Sequence, residues 1–166
     1  MSSSIEDTAV VLNWKVLTVK RPGLSHDLPP GQEKWAWVAN SSTLISGERD
    51  AVLVDTFLSN EQPQTLLDWV IASGKNLTAI YITHGHGDHF FGLAALLDRF
   101  PHAKAVATPE VVKAMHAQLS PESIDGFWRK RSPGQIPDRL LAAEPLDSDR
   151  LELEGHELVV VKNRKD

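Results

Sequence analysis

Three histidines and one aspartate fall within six consecutive residues, His84-Gly85-His86-Gly87-Asp88-His89. They directly follow the apolar run Leu77-Thr78-Ala79-Ile80-Tyr81-Ile82-Thr83. This juxtaposition constrains the fold more than any other stretch of the chain. A short apolar run rich in β-branched residues reads as a buried strand. Such a strand delivers whatever follows it to its C-terminal end, where α/β sheets place their sites. Gly85 and Gly87 separate the candidates. Glycine adopts backbone conformations closed to other residues, so the chain is expected to coil tightly here and aim several side chains inward. Neutral imidazole suits zinc and neighbouring metals, and carboxylate suits harder cations. Four such groups on one turn can scarcely all reach a single ion without strain. They sort into two pairs, His84 with His86 and Asp88 with His89, for two neighbouring ions.

Composition narrows the chemistry further. The 166 residues include no cysteine, which excludes disulfides, thiolate zinc sites, Cys-held iron–sulfur clusters and Cys nucleophiles. Any metal site is therefore built from His, Asp and Glu. Lys and Arg number 17 against 22 Asp and Glu, a formal net charge of −5. That balance argues against a nucleic-acid binder, which needs a basic face, and gives no attraction to an anionic membrane. No apolar run approaches the length that crosses a bilayer. The start, Met1-Ser2-Ser3-Ser4-Ile5-Glu6-Asp7, lacks the parts of a secretory signal, so a cytoplasmic location is the expectation. A hydrophobic content of 42% is enough for the core of one compact domain.

Along the chain, residues 10–20 read as a strand and 21–34, with three prolines and two glycines, as a loop. Residues 35–46 and 51–55 read as strands joined by the hairpin turn Gly47-Glu48-Arg49-Asp50. The period then changes. Leu66, Leu67, Val70 and Ile71 lie on one helical face within 61–73, with Pro63 in the first turn and Gly74 at the C-terminal cap. Residues 90–100 read as a second helix, 103–107 as a short strand, and 111–119 as a helix capped by Thr108 with Pro109 in its first turn. The segment 124–130 has helical character, and 150–153 with 157–162 form a hairpin around Glu154-Gly155-His156. Hairpin-paired strands followed by strand–helix alternation predict a mixed sheet with helices on one face.

The segment from Tyr81 to Gly92 resembles the T-H-x-H-x-D-H signature of the metallo-β-lactamase superfamily. Upstream, Asn40 to Gly47 followed by Ala51-Val52-Leu53-Val54-Asp55-Thr56 is similar to the family's two strands ending in a structural Asp. The similarity extends over roughly residues 35 to 160 and implies an α/β fold, the αββα sandwich, with a mono- or dinuclear site at the sheet edge. It implies hydrolysis by a metal-bound hydroxide attacking an ester, lactone, thioester, amide or phosphoester. By the same resemblance His84 and His86 hold the first metal and Asp88 and His89 the second. Asp88 also holds the attacking water and takes part in proton transfer. Asp55 orients the motif loop by hydrogen bonds; read on its own, it is a polar residue ending a strand. The cofactor is one or two zinc ions, with iron or manganese open, since His and Asp serve all three. The partner is a small-molecule substrate.

The family adds a third His for the first metal in a Gly-His turn, then a bridging Asp and a last His. In this sequence Glu157-Leu158-Val159-Val160-Val161 leads into Lys162-Asn163-Arg164-Lys165-Asp166 instead. Residues 1–34 are thus an N-terminal strand and Pro-rich loop, 35–161 the motif-bearing half of one domain over 1–166, and the C-terminal half of the sandwich is expected to be missing. Three explanations stand: a fragment of a longer enzyme, a half-site completed by another chain, or an inactive degenerate relative. An iron-dependent oxidoreductase is a further alternative. The half-sandwich is expected to expose a sheet face able to self-associate. The remaining histidines, His26, His102, His116 and His156, lack the motif's context; His26 alone lies in a loop that borders the site in the family. Trp35 and Trp37 alternate on one strand face, Phe90 and Phe91 are expected to pack beneath the motif, and Trp128 lies in the basic run Arg129-Lys130-Arg131, read as a solvated face.

Overall fold

The computed structural model describes residues 10–23, 30–31, 37–59 and 61–162. One mixed sheet holds six strands in chain order. β1 (Asn13–Pro22), β2 (Trp37–Ser46) and β3 (Asp50–Val54) are antiparallel. β3, β4 (Asn76–Ile82), β5 (Lys104–Ala107) and the two-residue β6 (Glu144–Pro145) run parallel. Helices fill each parallel crossover: α1 (Gln62–Ala72), then α2 (Gly87–Phe90) and α3 (Leu93–Arg99), then α4 (Pro109–Gln118). After α4 come α5 (Pro121–Ser123), a π-helical turn over Ile124–Trp128, and α6 (Arg129–Arg131). β7 (Arg150–Leu153) and β8 (His156–Val159) form a separate antiparallel pair.

Strand alternation distributes the apolar residues over two cores. Ala51 and Leu53 face the helices, where Leu66 and Val70 of α1, Leu93 and Leu96 of α3 and Met115 of α4 lie fully buried. Val52 faces the other way, onto Ala79 and Leu153. The centre of the sheet is therefore covered on both sides, which is why β3 and β4 read as continuous apolar runs. Each fully buried Leu or Ile contributes about 1.5–3 kcal/mol, and most of them lie on the helical side. The opposite face is covered by the β7–β8 hairpin through Leu151, Leu153 and Leu158. Towards β1 the same face carries Trp14 and Val16 in the open, at 70% and 47% exposure.

The Glu154 carboxylate fastens the hairpin to the large sheet. It accepts the backbone N–H groups of Glu48, Arg49 and Asp50, at 2.9, 2.6 and 2.5 Å, in the turn between β2 and β3. Three charge-assisted bonds to one turn tie the two layers where few side chains otherwise meet.

Local departures from the sequence pattern have tertiary causes. The first strand runs to Pro22 and so includes Arg21, which the sequence assigns to a loop. The helix expected over 90–100 is split. Its break at Phe91 and Gly92 is fixed by Gly92, whose N–H donates to Phe57 O at 3.0 Å and to Thr56 Oγ1 at 3.2 Å. Thr108 caps α4 as expected, accepting from Val111 N at 3.3 Å. Trp128 does not share the solvated face of its basic neighbours: it is 4% exposed and inside the main core. Phe90 and Phe91 pack beneath the motif with almost no exposure. The readings placed on His26, Trp35 and the Trp37 side chain lie outside the described residues. Among those residues no helix is long and apolar enough to cross a membrane.

Candidate metal centre

One edge of the sheet collects the ends of four strands: the C-terminal ends of β1, β3 and β4 and the start of β2. Asp55 follows β3 immediately, with φ at +61°. That left-handed conformation is rare outside glycine, and Asp tolerates it better than most residues. It turns the carboxylate onto the next strand's exit. Asp55 Oδ1 accepts from Thr83 N at 2.8 Å, and Oδ2 accepts from the Thr83 hydroxyl at 2.5 Å. Oδ2 also lies 3.0 Å from His89 Nδ1. A carboxylate holding the Nδ1 proton leaves the lone pair on Nε2, which is the arrangement of a presented imidazole ligand. The Asp55 hydrogen bond raises the His89 pKa against the opposing effect of burial, with the charges of Asp55 and Asp88 adding to the rise.

His84 and His86 approach each other at the mouth of the loop. His84 Nε2 and His86 Nδ1 are 2.9 Å apart, with the rings nearly perpendicular at a centroid distance of 4.2 Å. Burial lowers the His84 pKa, and the neighbouring His86 and His89 lower it further. The ring is therefore kept in the neutral form that a metal requires. The His89 ring lies 5.2 Å from that of His84.

Asp88 stands in the first turn of α2. Its Oδ2 accepts from Asn40 Nδ2 at 3.1 Å and from an Arg21 guanidinium nitrogen at 3.3 Å. The other oxygen, Oδ1, is 4.0 Å from His89 Nε2. Burial pushes the Asp88 carboxyl up, but the Asn40 hydrogen bond and the charges of His89 and Arg21 overcome it and hold the group below the usual carboxylate range.

Gly85 and Gly87 serve space rather than conformation, contrary to the sequence reading: neither has a positive φ. A Cβ on Gly85 would overlap that of Ala114 in α4, and one on Gly87 would strike the Phe91 ring. The loop is tight because it is pressed between a helix and an aromatic core.

Donors sharing a tetrahedral zinc at its usual bond lengths stand about 3.3 Å apart. The separations of 2.9 Å for His84 with His86 and 4.0 Å for Asp88 with His89 bracket that value. Among the described residues no three His, Asp or Glu side chains are grouped around one point. The donor chemistry fits divalent ions as two pairs, each providing two of the roughly three protein ligands a catalytic zinc takes. His102 and His116 are exposed, and His156 bonds to the backbone oxygen of Val10.

A cavity of about 650 Å³ opens beside the histidines. Arg21, His86 and Asp88 line it from the sheet edge, and Gln118, Glu122, Phe127 and Trp128 line it from the helical segment. Trp128 Nε1–H donates to Gln118 Oε1 at 2.8 Å, and its ring stacks edge-on between Phe91 and Phe127. The π-helical turn, a feature frequent at functional sites, places Phe127 at the rim with 41% exposure. Sequence reasoning missed Arg21, Asn40, Thr83 and this wall. For Arg21 a signal existed: Leu17, Val19 and Arg21 share one face by strand alternation, so the strand carries a charge onto its buried side.

A family model described as the metallo-beta-lactamase superfamily matches residues 35–163. A hydroxyacylglutathione hydrolase of Actinobacillus pleuropneumoniae is 32% identical over 88 residues, covering 53% of this chain and 32% of that protein. An atrochrysone carboxyl ACP thioesterase of Pseudocercospora fijiensis is 39% identical over 70 residues, covering 39% of this chain and 20% of its own length. The matched segment thus spans about a third or less of these relatives. Among solved structures, the metallo-beta-lactamase DIM-1 exposed to ceftazidime aligns with a TM-score of 0.56 at 17% identity, covering 87% of this chain and 54% of that one. The mono-zinc form of FIM-1 from Pseudomonas aeruginosa aligns at 0.53, also at 17% identity, with coverage of 86% and 54%. The fold is shared with these enzymes, and the family match spans more than three quarters of the sequence: the chain belongs to the metallo-beta-lactamase superfamily.

Proposed function

We propose that the sheet edge is the metal-binding half of a hydrolase acting on a small acyl substrate such as an ester, lactone or thioester. The observation that carries this reading is the pairing of donors: the His84 and His86 imidazole nitrogens lie 2.9 Å apart, beside a histidine whose Nε2 faces Asp88. Relatives named hydroxyacylglutathione hydrolase and thioesterase support a hydrolase. His84 Nε2 and His86 Nδ1 would hold one ion, and Asp88 Oδ1 and His89 Nε2 would hold the other. When bound, zinc lowers the pKa of water and polarises the bond to be cleaved. Asp88, kept ionised by its neighbours, would accept a hydrogen bond from the attacking water and orient it. Asp55 fixes the His89 tautomer and acts only through it. The acyl part of the substrate lies in the cavity against Phe127 and Trp128, which exclude water on that side.

The test is zinc content by elemental analysis after equilibration and dialysis. The chain is expected to hold fewer than two ions and to hold them weakly, because each pair offers only two donors. His86→Ala is expected to abolish uptake at the His84 pair. Zinc content unchanged in that variant would remove His86 from the ligand set and the reading with it.

A further inference from the structure

Arg21 is 4% exposed, yet it reaches the cavity beside the histidines. A buried guanidinium is tolerated only when its charge and its donors are matched. Here Nε donates to Asn40 Oδ1 at 2.7 Å, one terminal nitrogen donates to Pro22 O at 3.2 Å, and the other donates to Asp88 Oδ2 at 3.3 Å. Asn40 closes the triangle, its Nδ2 donating to the same Asp88 oxygen at 3.1 Å. Two strands thus spend a buried cation and a buried amide on one oxygen of one carboxylate. A strut joining β1 to the motif would not require both donors on the same atom, because a carboxylate offers two oxygens and about four acceptor positions. Oδ1 takes neither donor and is the oxygen that faces His89 Nε2.

We propose that Arg21, together with Asn40, is a positioning residue of the metal centre: it occupies Oδ2 of Asp88 so that Oδ1 alone is presented beside His89. The inference rests on the metal reading given above. A carboxylate fixed in this way binds one ion through one oxygen and cannot swing to chelate through both. Arg21 touches neither substrate nor ion in this role.

The experiment is a cobalt(II) titration of the full chain followed by NMR, reading the Asp88 and His89 resonances separately from those of His84 and His86. In Arg21→Met the apparent affinity at Asp88 and His89 is expected to fall about 10–100-fold, the usual effect of losing an outer-shell partner, while the His84 and His86 response stays as in the wild type. Arg21→Lys, which restores the charge and one donor, is expected to recover part of the loss. If Arg21→Met does not fold, Asn40→Ala carries the test, since it removes one donor to the same oxygen and leaves the ion pair. A folded variant of either kind with unchanged affinity at Asp88 and His89, or one that weakens both pairs equally, overturns the proposal. Wild-type protein that shows no cobalt response at any of the four residues overturns the metal reading and this inference together; a wild-type response with no difference in the variants overturns this inference alone.

Discussion

Asp55 places three demands on one carboxylate: it must sit at φ +61°, satisfy the Thr83 amide and hydroxyl, and hold His89 by Nδ1. Asp55→Ala removes both side-chain roles and leaves alanine at the positive φ. A buried amide left without a partner costs about 1–3 kcal/mol, and alanine in the left-handed region costs about 1–2 kcal/mol more. A loss of about 2–5 kcal/mol is therefore expected in guanidinium unfolding. Asp55→Asn keeps the tolerance for positive φ and a carbonyl oxygen for Thr83 N–H, so it should lose less stability while releasing the His89 tautomer, which nitrogen NMR of the ring reads directly. Equal losses for the two variants would show that the backbone conformation contributes nothing. The place of Asp55 after an apolar strand, and the spacing of His84, His86, Asp88 and His89, were legible in the sequence because they are local. The left-handed turn, the tautomer and the Arg21–Asn40 fork were not, because each depends on residues 28 to 67 positions away in the chain.

Between elements, the motif loop is fixed by what presses on it. Gly85 meets α4 so closely that an added methyl would overlap the Ala114 side chain and lie 3.1 Å from the Ala114 carbonyl carbon and the Met115 nitrogen. Gly85→Ala forces the loop and helix apart, an overpacking defect of about 1–3 kcal/mol. Ala114→Gly removes the side-chain clash but not the backbone approach, so Gly85→Ala is expected to cost less in that background, without becoming neutral. A double-mutant cycle by chemical denaturation measures this coupling; additive costs would mean that loop and helix do not touch. The same dependence on contact explains which elements the sequence revealed. β3, β4 and α4 carry their own signals: apolar runs, the Thr108 cap, and Pro109. The break before α3 is imposed by Thr56 and Phe57, and β6 is two residues paired with the end of β5. Neither leaves a local pattern to read.

At the scale of the molecule, two layers of unequal strength share the sheet. The helical side holds a large continuous core, whereas the β7–β8 hairpin is held to the sheet by Leu153 against Val52 and Ala79 and by the Glu154 clamp. The Asp50 N–H, with those of Arg49 and Glu48, holds the Glu154 pKa below its ordinary value of 4.5 despite some opposing desolvation. A carboxylate depressed on folding binds protons more weakly in the folded chain than in the unfolded one. Its stabilisation is therefore complete above the ordinary value and is lost as pH falls through the depressed one. Glu154→Gln, which retains one carbonyl oxygen but no charge, is expected to lower the melting temperature at pH 7 and to converge with the wild type in acid. A difference constant from neutral pH down through the acid range would remove the charge from the account. Because the clamp joins only the smaller layer, its loss is expected to act unevenly: amide exchange in β7 and β8 should accelerate in the variant while that of β3 and β4 on the main core is retained. Uniform acceleration would mean that the hairpin and the sheet bearing the histidines open as one unit. The retained pattern would mean that the edge bearing the histidines keeps its shape when the second layer lifts away.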